Sequence, residues 1–71
     1  MSSSALSEEL HGMTFSDLLE RVDYHRSKGN IDNGMDRRAD DSDNPKDFWI
    51  NTLLRIGGGT EQGKGITLSV N

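Results

Sequence analysis

The glycine-rich stretch RIGGGTEQGKGIT, residues 55–67, comes nearest in this sequence to a nucleotide-binding motif. A phosphate-binding loop reads G-x-x-x-x-G-K-[ST], in which backbone N–H groups hold the phosphates and the lysine reaches the outer oxygens. Gly58, Gly63 and Lys64 have that spacing, but Gly65 stands where the hydroxyl residue is required. The loop also lies between a helix pattern and a strand pattern, so no helix N-terminus is available to receive a phosphate. We interpret the stretch as a flexible tether.

Histidines and clustered acids are the other residues whose chemistry could make a site. His11 and His25 are single, and His25 has no His, Asp or Glu four residues further on to complete a metal-binding face. We interpret both as surface or helix-end histidines. The segments DNGMD and DDSDNP do not have the ligand spacing of an EF-hand calcium loop. With no cysteine in the chain, a thiol nucleophile and thiolate metal sites are excluded. We therefore expect no metal, no cofactor, no small-molecule substrate and no enzymatic activity.

The elements that would position any site are few, because the chain has only 71 residues and 31% of them are hydrophobic. That length allows one small domain at most, and a domain of this size without disulfides or a metal is marginal alone. We expect a protein partner or self-association to complete it. Twelve acidic residues against eight basic ones oppose binding to nucleic acid, which requires clustered Lys and Arg.

The sequence also bears on location. Its first residues, MSSSALSEEL, show neither the basic region nor the apolar run of a secretory signal. Nowhere do about 18 apolar residues follow one another, as a membrane-spanning helix requires. The expectation is a protein of the cytoplasm, or of a soluble assembly such as a virion, that does not enter a membrane.

The first strong helix pattern covers residues 15–28. Thr14 is a good N-cap, and the apolar residues recur at the i, i+3, i+4 and i+7 spacing of one helix face. Gly29 has the position of a residue that ends a helix in the left-handed conformation. The side chains that we expect to be buried on this helix are Phe15, Leu18, Leu19 and Val22.

The second helix pattern covers residues 45–56. Asn44 has the position of the N-cap, Pro45 occupies the first helical position, where its missing N–H costs nothing, and Gly57 ends the pattern. This helix is apolar over more than half of its circumference, which is more than one neighbouring helix could cover. We expect Trp49, Ile50, Leu53 and Leu54 to be buried, either within the chain or against a partner.

The rest of the chain carries weaker signals. Residues 1–13 predict a flexible segment with at most a short turn of helix at ALSEEL, and residues 30–44 predict an acidic linker. Residues 58–71 predict a glycine-rich tail that ends in a short strand, ITLSV, which needs a partner to pair with. The domain organisation is thus segment 1–13, helix 14–29, linker 30–44, helix 45–57 and tail 58–71, in a mostly α fold.

These features favour a small, non-enzymatic structural or accessory subunit that docks on a larger protein assembly. Aromatic residues carry much of the energy of interfaces, and a terminal strand can extend the sheet of a partner. A small regulator or inhibitor of one cellular enzyme is the main alternative. The residues predicted to bind a partner are Phe48, Trp49, Ile50, Leu53, Leu54, Ile66, Leu68 and Val70.

Residues 48–59 allow one further hypothesis. They resemble the end of a double-glycine leader peptide, the export and processing signal of many small bacterial peptides. Phe48, Leu53 and Ile56 match the spaced apolar positions that such leaders present to their protease, and Gly58 and Gly59 match the two glycines. The resemblance implies a cut after Gly59 that releases TEQGKGITLSVN. It extends over about a dozen residues only, and any amphipathic helix that ends in two glycines has the same features.

Overall fold

The structure is a computed structural model that describes residues 3–57, with side chains from residue 5 onwards. Of these residues 74% are helical, and the described part contains no strand. The predicted tether and terminal strand lie outside the described residues. Four helices follow one another along the described chain: α1 (Ser3–Gly12), α2 (Phe15–Ser27), α3 (Met35–Asp40) and α4 (Pro45–Ile56).

Helix α2 has the ends that the sequence predicts. The Thr14 hydroxyl accepts a hydrogen bond from the backbone N–H of Asp17 (3.1 Å), which satisfies one of the free donors of the first turn. At the other end Gly29 adopts φ +80°, a conformation that side chains disfavour. The N–H groups of Gly29 and Asn30 then donate to the carbonyls of Arg26 and His25, as in a Schellman motif.

Helix α4 is also confirmed at both ends. The Asn44 side chain accepts a hydrogen bond from the N–H of Asp47 (3.3 Å), and Pro45 occupies the first helical position. Gly57 ends the helix at φ +67°, with its N–H donating to the carbonyl of Leu53 (2.9 Å). Three residues with polar side chains lie four apart on the exposed face: Asp47, Asn51 and Arg55.

The prediction that residues 1–13 are a flexible segment is wrong for most of their length, because residues 3–12 form α1. Leu6 and Leu10 are one helical turn apart on the same face, and both are buried in the core. Helix α1 packs against α4. Two apolar residues are a weak periodic signal, and the helix is stabilised by a neighbour that lies more than 30 residues away along the chain.

The prediction of an unstructured linker over residues 30–44 is wrong in its middle, where α3 has six residues. Ile31, Met35 and Ala39 are spaced four apart and therefore share one side of the chain. Ile31 and Ala39 are buried, and Met35 packs against the same core. The prediction counted how few apolar residues the segment has and gave no weight to their spacing.

The core of the described chain forms around α4, which packs against each of the other three helices. This arrangement explains why α4 is apolar around so much of its circumference: separate neighbours cover separate parts of that surface. Each of the four helices contributes to the core, as does the turn before α3. The buried apolar residues are Leu6, Leu10, Leu18, Val22, Ile31, Ala39, Trp49, Ile50 and Leu53.

Candidate functional site

Three of the predicted partner-binding residues lie inside the chain's own core. Trp49 is 3% exposed, and Ile50 and Leu53 are buried even more completely. Because α1, α2 and α3 cover them, these side chains present no surface to a partner while the chain keeps this fold. Phe48 and Leu54 lie at the edges of the buried face and are half-buried.

Phe48 and Trp49 form an edge-to-face pair, with ring centroids 5.2 Å apart and planes at 83°. Aromatic rings favour this geometry because the positive edge of one ring meets the negative face of the other. The carbonyl of Phe48 accepts a hydrogen bond from the buried hydroxyl of Thr52 (3.0 Å), so that this polar group is satisfied within the helix. The aromatic pair therefore stabilises the edge of the core. The other predicted binding residues, Ile66, Leu68 and Val70, lie outside the described residues.

Phe15 is the large apolar side chain that the described part of the molecule leaves exposed, at 41%. The sequence predicts that this residue is buried, and within the chain that prediction is wrong. Phe15 is the first residue of α2, at the end of the helix, and it lies to one side of the row formed by Leu18, Val22 and His25. Leu19, one turn further along the same side as Phe15, is half-buried.

The charge of the described chain is distributed unevenly along the sequence. Residues 3–24 contain five acidic residues and one basic residue, Arg21, whereas residues 25–57 contain six of each sign. The net charge of the described residues therefore comes from α1 and the greater part of α2. All five acidic side chains are exposed; they are Glu8, Glu9, Asp17, Glu20 and Asp23.

His11 belongs to a polar contact between α1 and α4. Its Nε2 lies 3.7 Å from an oxygen of Asp47, and its Nδ1 lies 2.8 Å from the carbonyl of Ser7. The Lys46 ammonium donates to the carbonyl of His11 (3.2 Å) and thereby satisfies an acceptor at the end of α1. His11 is exposed at a helix end, as the sequence predicts, and its contacts join two helices.

His25 lies at a helix end, as the sequence predicts, but its side chain is fully buried and is not at the surface. It lies in the last turn of α2 on the face of Leu18 and Val22, and that helical spacing was the signal for its burial. Its Nδ1 lies 3.1 Å from the side-chain amide nitrogen of Asn30, in the turn that follows the helix. The ring also packs edge-to-face on Tyr24, with centroids 5.1 Å apart. These contacts make His25 part of the structure that ends α2.

Arg26 forms two charged pairs at the surface of the molecule, one within α2 and one that joins α2 to α3. Arg26 donates to Asp23 within α2 (2.6 Å) and to Asp36 of α3. Both carboxylates are exposed, so each pair is screened by water and contributes less than about 1 kcal/mol. The pair with Asp36 is a contact between α2 and α3.

One depression in the surface has a volume of about 410 Å³, which is within the range of ligand sites. Its walls belong to α3 and the turn before it, and they include no aromatic or large aliphatic side chain; the residues are Asn33, Gly34, Asp36, Arg37 and Asp40. Ligand sites of this size are usually lined by apolar and aromatic side chains that hold the ligand. The depression therefore offers few of the apolar contacts that would hold a small molecule.

Two further properties concern residues 3–57. Their His, Asp and Glu side chains do not come together in groups of three that could hold a metal ion. The longest helix, α2, has 13 residues, and no described helix has the length and apolar character needed to cross a bilayer.

Comparison of the chain with protein-family models, with curated proteins and with solved structures gave no match.

Proposed function

We propose that the chain is a small, non-enzymatic structural or accessory subunit that docks on a larger protein assembly, for example a virion. The exposed side chain of Phe15 is the observation that carries this proposal. Phe15 leaves 41% of its surface in water, and contact with a partner would remove that apolar surface from solvent. The remaining apolar side chains at the edge of the core, including Leu19, would extend the contact.

The distribution of polar groups supports a docking role over catalysis. The ionisable side chains that come close to one another, such as His11 with Asp47 and Arg26 with Asp36, form exposed bridges between helices. A general acid–base pair needs groups that are held in a pocket beside a bound substrate. The depression beside α3 lacks the aromatic and large aliphatic side chains that would hold such a substrate.

The predicted extended tail belongs to the same proposal. In it, Ile66, Leu68 and Val70 alternate with polar residues, as in a strand that pairs with the sheet edge of a partner. A docked helical domain and an added strand would together hold the chain on its assembly at two points.

The test is to express the full chain with a small affinity tag in its native host and to purify it under native conditions. Native mass spectrometry and sedimentation then give the stoichiometry of what it binds. A fixed ratio to the subunits of one particle supports the proposal. A one-to-one complex with a single enzyme supports the regulator instead, and a free monomer contradicts both.

A matched pair of variants shows whether the complex uses this corner of the molecule. Phe15→Ser removes the exposed apolar side chain, and Met35→Ser removes a half-buried one; each is the first residue of its helix. We expect the first variant to lose the complex and the second to keep it. Equal behaviour of the two variants would show that Phe15 does not contact the partner.

The peptide-precursor hypothesis stays a prediction, and the residue after which the cut would fall lies outside the described residues. The fold adds a physical requirement to it. Leu53 is buried, and Phe48 and Ile56 are half-buried against the core. A protease could bind these three side chains together only after α4 had separated from the three helices that pack against it.

A further inference from the structure

We propose that the surface around Phe15 binds a basic amphipathic segment of a partner protein, one that carries Lys or Arg around an apolar anchor. The inference rests on the proposed docking function, and it names the chemistry of the partner. Three observations on the described residues carry it: the exposure of Phe15, the arrangement of α2 beside it, and the uneven distribution of charge.

The arrangement of α2 places apolar and acidic groups on one exposed side. At about 100° per residue, Phe15, Leu19 and Asp23 follow one another along a row, and Ser16 and Glu20 form the adjoining row. The side chain of Leu19 is half-buried, and those of the other four residues are exposed. This side of the helix therefore combines an apolar strip with an acidic border.

The distribution of charge decides the sign of the partner. Residues 3–24 have a surplus of four negative charges, whereas the acids and bases of residues 25–57 balance. Within the described chain, Glu8, Glu9 and Glu20 take part in none of the salt bridges. Such a surface attracts basic segments and repels acidic ones, so that charge selects the partner while the apolar contact supplies affinity.

A helix is the form of partner that suits this surface. Phe15 and Leu19 make a short strip about one turn long, which matches apolar side chains at i and i+4 of a second helix. Lysines beside that apolar face would lie over the acidic border that includes Glu20 and Asp23. A neutral apolar partner would leave several exposed carboxylates at the edge of a contact without a counter-charge.

The experiment titrates two synthetic peptides, each about 18 residues long, into the ¹⁵N-labelled full chain at about 50 mM salt, where electrostatic attraction is weakly screened. One peptide has leucine on one helix face and lysine elsewhere; the other has glutamate in place of every lysine. We expect the lysine peptide to shift the amide signals of residues 14–24 and the glutamate peptide to leave them unchanged. Equal binding of both peptides, or shifts centred on α3 and the end of α4, would overturn the proposal.

Two sets of charge variants distinguish a local surface from net charge. The first set, Asp17→Asn, Glu20→Gln and Asp23→Asn together, removes three exposed negative charges from α2, the helix that begins at Phe15. The matched control, Asp32→Asn, Asp40→Asn and Asp43→Asn together, removes three exposed negative charges elsewhere in the chain. Because charges more than about 10 Å apart are screened at physiological salt, we expect the first set to weaken the lysine peptide about tenfold and the second less than about twofold at about 150 mM salt. Equal losses would overturn the proposal.

The apolar part of the surface is tested with Phe15→Ser, which we expect to weaken the lysine peptide about tenfold, against Met35→Ser, which should change it less than about twofold. Unchanged binding to Phe15→Ser would show that the attraction is only electrostatic and would overturn this inference. Failure of this inference is distinguishable from failure of the docking function. A stable complex in the native host with no preference for the lysine peptide would leave the docking function intact and contradict only the basic, amphipathic character of the partner.

Discussion

Helix α4 and the start of α2 each carry a large aromatic residue, yet the two side chains differ strongly in burial. Trp49 is almost completely buried, because α4 packs against three other helices, whereas Phe15 remains 41% exposed at a helix end. An apolar helix is therefore no sign of an interface in itself, since a small bundle needs one central helix that is apolar on several sides. What indicates an interface is apolar surface that remains after the chain's own packing is complete.

The largest effect in this comparison is expected from Leu53→Ala. The side chain is fully buried on the central helix, so its truncation leaves a cavity and should lower the free energy of unfolding by about 2–5 kcal/mol. Urea denaturation followed by circular dichroism measures this loss. Leu54→Ala is the matched control on the adjacent, half-buried residue and should cost less than half as much. Similar losses in both variants would contradict the central position of α4.

The next effect tests whether α1 belongs to the folded unit. Leu10 is fully buried, and Leu10→Ala should lower the free energy of unfolding by about 2–4 kcal/mol. Glu9→Ala, a substitution on the exposed side of the same helix, should change it by less than about 0.5 kcal/mol. The same urea titrations measure both values. If Leu10→Ala were as stable as the unmodified chain, the core would have to be complete without α1.

The smallest effect on stability is expected where the effect on binding is largest. Phe15→Ser removes a side chain that is already partly in water, so we expect a loss of less than about 1.5 kcal/mol in the free energy of unfolding. Thermal unfolding monitored by circular dichroism measures this loss, together with the peptide titration on the same sample. A loss as large as that of Leu53→Ala would mean that Phe15 is a core residue, and the comparison between the two regions would fail.

The sequence predicted those elements whose signals are local. The ends of α2 and α4 follow from cap residues within a few positions of each helix: Thr14 and Gly29 for one, Asn44 and Gly57 for the other. A capping side chain and a left-handed glycine act on the backbone next to them, so their effect is visible without knowledge of the fold. The burial of Leu18, Val22, Trp49, Ile50 and Leu53 follows from the spacing of apolar residues within each helix.

The elements that were missed have weak local signals and depend on α4. The described side chains that α1 buries are those of Leu6 and Leu10, and α3 is six residues long. Neither segment is a strong helix by itself, and short helices in water are stabilised mainly by packing. The sequence did contain a hint of both, because each segment places its apolar residues four positions apart.

For the candidate surface, the sequence determined the composition and the fold determined the exposure. The acidic surplus of residues 3–24, the apolar side chains and the caps of α2 and α4 can all be read directly from the order of residues. Whether an apolar side chain lies in the core or at the surface depends on which helices reach it. Three helices pack against α4, on which Trp49 is buried, while Phe15 lies at the end of α2 and remains exposed. Burial is a property of contacts between distant segments, and only the tertiary structure decides those contacts.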